Sequence, residues 1–470
     1  EDGSMTKFII RRVTIYIKNK LMTLEKSESV LLILLNRVKK KGIMIFCILL
    51  LGVLSSCKIN PHTLDREQDL DELWQKTVTQ TMDREIDLYN DAELLIVPLY
   101  ASFCMKEDSK YLVQFNAYFN DVEDEITDLL EDRDIAILNK LNYVYFISNY
   151  ILLSIKGENK VSHTLVDKCY DFIMSTVELP AWNWNMDDFN NMKDRIAYKI
   201  SEAKPQYSYQ KAITDEDLFV LVTANNLLPY YKNAGDIKKT KKLKELGDLT
   251  KQVIYKKFGY SGNHYAFQKG AWSDHRDYLY ANYTDIEENM KPFSNKEIEE
   301  DISHYSRIPL MLQNIACVTE DKNYKANLEA ILNVNSSYFQ KEILVDPSNE
   351  SRIYRLKNYM NGSNGLYRWN YSGRGKDYAH KPYSLSKQLY TGKYVFFSSD
   401  MQDIYKKIVG TFPLELNEVN EMTTLKEVTE KLIWNESYSN AFPGILMNGY
   451  AELTCFLAGE YNLLNPLIKP

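Results

Sequence analysis

Apolar residues in this chain return every three or four positions, and few segments could turn a strand back on itself. Over 139–155 the residues Leu141, Val144, Ile147, Ile151 and Ile155 fall on one stripe, the period of an α-helix that buries one face. Asn142 and Asn149 interrupt its apolar stretch, which marks a core helix rather than a membrane span. Thr214-Asp215-Glu216-Asp217 supplies a capping residue and then acids for a first helical turn. Leu218, Leu221, Val222 and Leu228 continue that face, and Pro229 is expected to close it. Ser294-Asn295-Lys296-Glu297 has the form of a capping box. Ile308, Met311, Leu312 and Ile315 give the stripe of the helix after it, with Pro309 where only a first turn tolerates it. Similar patterns occupy 66–82, 86–104, 110–131, 160–177, 189–204, 237–257, 323–341, 399–411, 421–434 and 444–458. Glycine is scarce, 18 in 470 residues, and hairpin dipeptides are sparse. The expectation is an all-α fold of stacked helical hairpins, arranged as an α/α toroid. An open solenoid satisfies nearly the same spacing, and no tandem repeat selects a repeat class.

The front of the chain reads differently. Lys39–Lys41 precede an apolar run over 43–54 and then Ser55-Ser56-Cys57, the layout of a secretory leader. The run is shorter than the roughly 20 residues a bilayer span needs. Leu54-Ser55-Ser56-Cys57 resembles a bacterial lipobox. The resemblance implies cleavage before Cys57, lipid on Cys57, and a membrane-anchored protein of the bacterial cell envelope outside the cytoplasm. A buried helix ending at an ordinary cysteine is the alternative. Glu1-Asp2-Gly3-Ser4 has the look of an added tag, and Val38 could mark the natural start. Residues 1–37 are therefore expected to be non-native, 38–56 a signal peptide, and 57–470 the helical domain.

A net charge of −7 argues against a nucleic-acid partner, and the basic run Lys238–Lys244 reads as a solvated helix face. Cys104, Cys169, Cys317 and Cys455 show no CxxC pairing; they read as small buried hydrophobes rather than disulfides. The 35 tyrosines and six tryptophans suit a wet groove for sugar rings, although codon bias accounts for them equally.

Two stretches, 259–293 and 353–385, lack a sustained period and are rich in Gly, Asn, Tyr and Trp. Long loops on a helical scaffold often carry function. The first holds Asn263, His264, Trp272, Asp274, His275, Arg276, Asp277 and Tyr280, and is followed by Glu299-Glu300-Asp301-Ile302-Ser303-His304-Tyr305-Ser306-Arg307. The second holds Arg368, Trp369, Tyr371, Arg374 and His380. The Glu300–His304 segment, followed by an apolar helix, resembles the acidic-x-Ser-His motif of α/α-toroid carbohydrate enzymes related to polysaccharide lyases and glucuronyl epimerases. The likeness spans about 210–320 and includes the Thr214 helix opening; Tyr305 and Ser306 depart from the usual small residues.

That resemblance implies proton abstraction beside the carboxylate of a uronic acid in a poly- or oligosaccharide. A cation or donor must first neutralise the carboxylate, a role open to Arg307, Arg276 or Asn263. The base would be His304, or else His264. Tyr305 or Tyr280 would protonate the leaving oxygen, and Asp301 would orient His304 or cap its helix. Trp272, His275, Trp369, Tyr371 and His380 would line the substrate. No cofactor or metal is expected, although Asp274, His275 and Asp277 could form a metal site or supply the carboxylates of a glycosidase. A non-catalytic glycan-binding lipoprotein in the manner of the SusD-like group is the rival.

Overall fold

The apolar stripes lie on helices. This computed structural model describes residues 66–105, 109–184, 186, 189–287, 289–349, 351–369, 379–422 and 444–468. The leader, Cys57, Tyr371, Arg374 and nearly all of the helix expected at 421–434 lie outside the described residues. Helix α1 (Arg66–Trp74) runs on through a π-turn to Met82. There follow α2 (Leu88–Cys104), α3 (Lys110–Glu131), α4 (Ile137–Lys156), α5 (His163–Glu178), α6 (Met192–Ile200), α7 (Asp215–Asn233) and α8 (Ile237–Lys257). A hairpin of β1 (Phe258–Ser261) and β2 (His264–Phe267) ends this run. Next come α9 (Ile302–Tyr305), α10 (Ile308–Val318) and α11 (Lys322–Tyr338), then the short pair β3 (Leu344–Val345) and β4 (Arg355–Leu356). Helices α12 (Met401–Val409), α13 (Leu416–Glu421), α14 (Tyr450–Glu460) and α15 (Asn465–Ile468) complete the chain, which is mostly helical.

Helices α4 and α7 form the centre. They pack most extensively on each other, and α2, α8 and α10 cover their other sides. Every residue of α4 from Lys140 to Ser154 is buried, so Asn142 and Asn149 need partners inside the protein. The Tyr100 hydroxyl lies 2.8 Å from Asn149 Oδ1 and 2.9 Å from Asn314 Oδ1, and Asn314 Nδ2 donates to Asn149 Oδ1 at 2.7 Å. The three groups tie α2, α4 and α10 together in the core. Among the described residues no helix is long and apolar enough to cross a membrane. Cys104, Cys169, Cys317 and Cys455 form no disulfide, and Cys169 and Cys455 are buried.

Local expectations fail at three places, each for a physical reason. Helix α7 does not stop at Pro229 but continues to Asn233. Proline removes one amide donor, and the last turn is held from outside by the Tyr231 hydroxyl on Asp167, 2.5 Å away. The Ser294–Glu297 box opens no helix. Asn295 Oδ1 accepts instead from the Glu297 amide at 2.9 Å, a single turn closes with Ile298 N on Asn295 O at 3.2 Å, and the helix begins only after Asp301 because 358–360 pairs with 300–302. Thirdly, 258–267 is a hairpin closed by Gly262-Asn263, with Gly262 at φ +65°. Such a turn requires positive φ, which glycine adopts without cost.

Candidate functional site

The two irregular stretches are held to each other and to Glu300–Asp301 by backbone pairing. Met360 N donates to Glu300 O at 3.0 Å and Ile302 N to Asn358 O at 2.9 Å. Further along, Leu366 N donates to Tyr283 O at 2.8 Å and Arg368 N to Asp277 O at 2.9 Å. The approach is close enough that a Cβ on Gly365 would meet Ala281 O at 1.7 Å. This ladder sets the side chains of Trp272, His275–Tyr278, Glu300, His304, Tyr367 and Arg368 around one cleft of about 310 Å³. The start of α7 and the segment 182–184 close its other side.

Fully buried behind the His304 ring, Asp301 does two jobs. Its Oδ1 caps α9 by accepting from the amides of Ser303 (3.0 Å) and His304 (3.3 Å). Its Oδ2 accepts from His304 Nδ1 at 2.6 Å and from the Tyr278 hydroxyl at 2.8 Å. Burial alone would lower the imidazole pKa, but the Asp301 charge and hydrogen bond outweigh it and hold His304 at about 9. The same attraction overcomes the burial of Asp301 and keeps its carboxyl far below the usual carboxylate range. The His304 side chain is 31% exposed, lines the cleft, and makes no Nε2 hydrogen bond among the described residues.

Glu300 sits beside this pair. Its Oε2 accepts from Trp272 Nε1 at 2.8 Å and Gln268 Nε2 at 2.9 Å. Burial pushes its carboxyl up to about 7 against the pull of the His304 imidazolium. Ligand-type atoms of Glu300, Asp301 and His304 lie within 4.8 Å of one another. A cation there would have to compete with five donors to Asp301, the Ser303 hydroxyl among them, and two to Glu300, so the triad fits a proton better than a metal.

Around it stand charges and rings. Arg368, at φ +57°, reaches Asp277 (Nε to Oδ2 3.4 Å) and lies over the Tyr367 ring at 5.0 Å. Exposed Arg276 lies at the same edge, 3.9 Å from Asp277. Asp215 and Glu216 come from the first turn of α7; burial raises the Glu216 carboxyl against the pull of Arg195. Burial lowers the pKa of His275. Trp184 stands 5.7 Å from Trp272 and 5.6 Å from Trp182, ring centre to ring centre, so three indoles run along one wall.

Several residues singled out from the sequence therefore meet: Asp301, His304, Trp272, His275 and Arg276. Others do not. Arg307 is turned away from the cleft and spends its donors on Glu93 (2.9 Å), Asp215 (3.0 Å) and the Tyr89 hydroxyl (2.9 Å). Tyr305 is buried, with its hydroxyl accepting from Asn335 at 2.8 Å. His264 is buried between Tyr338, stacked at 3.9 Å, and Glu299, both of whose oxygens lie 2.9 Å from Nε2. Asn263 is exposed at the hairpin turn. Tyr280 packs on Trp369 at 6.1 Å, and His380 lies behind Tyr367 at 5.7 Å, all three off the cleft lining. Asp274 caps the turn at 208–211 through the Ser208 amide, 2.7 Å away, and forms no triad with His275 and Asp277. Glu300, which opens the acidic motif, and Arg368, in the second irregular stretch, were given no role from the sequence, and Trp182 and Trp184 were not singled out. Two of the chain's six tryptophans within Trp182-Asn183-Trp184, between two helices, was the available signal.

The chain matches no protein-family model, no curated protein and no solved structure.

Proposed function

We propose that the protein acts on an acidic poly- or oligosaccharide by taking the proton beside a uronic-acid carboxylate. One observation carries the reading. A buried carboxyl held near 7 and an imidazolium held near 9 share the edge of a cleft walled by guanidinium groups and indoles. Both stand above their ordinary values and about two pH units apart, so between about pH 7 and 9 the carboxylate can take a proton while the imidazolium still holds one, the arrangement of an acid–base pair.

The roles follow from the charges. At neutral pH the His304 imidazole already carries its proton, so it is the acid or the cation, and the base passes to Glu300. With the substrate carboxylate against Arg368 and the imidazolium, charge developing on that carboxylate is stabilised as the proton leaves carbon. Glu300 accepts the proton. The electron pair left behind forms a carbon–carbon double bond as the neighbouring glycosidic oxygen departs with a proton from His304. If that oxygen stays, the His304 imidazolium gives its proton to the carbon from the other face and the result is epimerisation. Trp272 supplies an apolar face for the sugar ring.

The broader setting belongs to the same proposal. Export and lipid on Cys57 rest on the lipobox resemblance. Closure of the helical hairpins into an α/α toroid is supported by α14, which packs on α1 and α2 at the other end of the described chain.

The test is incubation with polymers of galacturonate, glucuronate and mannuronate, following unsaturated products by ultraviolet absorbance. Wild type should release them and Glu300→Gln should not. Products without a double bond would move the assignment to a glycosidase using Glu216 or Asp277. Binding without turnover would leave a glycan-binding protein.

A further inference from the structure

We infer that Trp182, Asn183 and Trp184 form a second saccharide subsite beside the Glu300–His304 centre, so that the ligand is a chain of sugars read over more than one unit. This rests on the acidic-saccharide reading above and extends it to the length of ligand engaged.

An exposed indole is costly in water, and Trp182 is 57% exposed. It does not hang from a loose loop. Ala181 pairs with Phe189 by two backbone bonds of 3.0 and 2.9 Å. Arg195 Nη1 donates to Trp182 O at 3.0 Å and Gln210 Nε2 to Trp184 O at 3.1 Å. Arg195 is itself clamped on buried Asp217, at 3.1 Å from Nε and 2.6 Å from Nη2, and Lys199 holds the other oxygen at 2.6 Å. A buried ion cluster thus fixes the Trp182 carbonyl, and the Gln210 amide fixes that of Trp184. Rigid mounting of exposed rings is what a stacking platform requires.

An independent observation comes from the residue between them. Asn183 is 1% exposed and lines the cleft. Its Nδ2 donates to Gln210 O at 3.0 Å. Its Oδ1 is buried with no hydrogen-bond partner among the described residues. A buried acceptor left open at a cleft wall matches a ligand hydroxyl. An indole face and a lone acceptor side by side recognise a sugar ring face and a hydroxyl, which a uronate unit presents as well as a neutral one. The cationic groups Arg276 and Arg368 stand instead toward Asp277, so the carboxylate is read at the inner site and the ring and hydroxyls of the next unit at the outer one.

The experiment uses the whole chain as wild type, Trp182→Ala and Trp182→Phe. Dimers, tetramers and hexamers of galacturonate, glucuronate and mannuronate are titrated by calorimetry, with turnover measured in parallel. Wild type should favour the hexamer over the dimer. Trp182→Ala should lower that hexamer-to-dimer affinity ratio on the order of tenfold, and Trp182→Phe should restore most of it. A ratio that does not change overturns the subsite while leaving the acid–base assignment standing. Length-dependent binding that Trp182→Ala weakens, without turnover, keeps the subsite and removes that assignment. No binding of any oligomer overturns both.

Discussion

Replacing Glu300 by Gln should abolish turnover and at the same time make the folded protein more stable, by an amount that grows with pH. An ordinary glutamate ionises near 4.5, whereas burial holds Glu300 protonated up to about 7. Between those values the unfolded chain gives up its proton and the folded one keeps it, so stability falls by about 1.4 kcal/mol per pH unit. The penalty reaches roughly 3 kcal/mol above pH 7, where it levels off. Glutamine keeps an oxygen for Trp272 and Gln268 and has no charge to desolvate. Wild type and variant should therefore unfold at nearly the same urea midpoint at about pH 4.5 and diverge steadily to about pH 8, the variant being the more stable. The slope with pH separates titration from a packing effect. A variant less stable than wild type at about pH 8, or a difference that ignores pH, would show Glu300 to be a settled anion and would refute the argument.

Other outcomes follow from the same contacts. Asp301→Asn removes the charge that holds His304 at about 9, leaving burial and Arg368 to depress it against Asp215 alone; ring-proton titration by NMR should then show the imidazole titrating well below about 9. In the wild type the stability lent by that imidazolium is fully present below about pH 6.5 and fades as pH rises through about 9. Arg307→Met strips Asp215 and Tyr89 of a partner and leaves Glu93 to Lys393 and the Asn142 amide. Urea unfolding should show a loss of about 3–5 kcal/mol, the usual result of breaking a buried ion cluster. In Gly365→Ala the new methyl collides with Ala281 O, so hydrogen exchange at the Arg368 amide should accelerate and acidic-oligosaccharide affinity should fall.

Much of the fold was legible because its cues are local. Stripes such as Leu141–Ile155 and the Thr214–Asp217 opening need only neighbours a turn away. The ambivalence of Asp301, cap or orienter, resolves into both roles, since one oxygen caps α9 and the other holds Nδ1. Choosing the cation was beyond local reasoning. Arg307 follows His304 by three residues and looks adjacent on a helix, but Glu93, far away in sequence, captures it. Arg368 arrives through the pairing of 365–368 with 277–283, which no periodicity announces. His264 was visible as a loop histidine, yet its burial against Tyr338 and Glu299 depends on the hairpin folding back over α11. Glu300 looked like one acid in a run of three; its neighbours Glu299 and Asp301 are spent on His264 and His304, and only the tertiary structure separates their fates.

The pH dependence of kcat/KM for release of unsaturated product tests the central assignment most directly. With Glu300 as base and His304 as acid, the profile should be a bell that rises through about 7 and falls through about 9. A rate that keeps climbing past pH 9 would make the neutral imidazole the base and contradict the account.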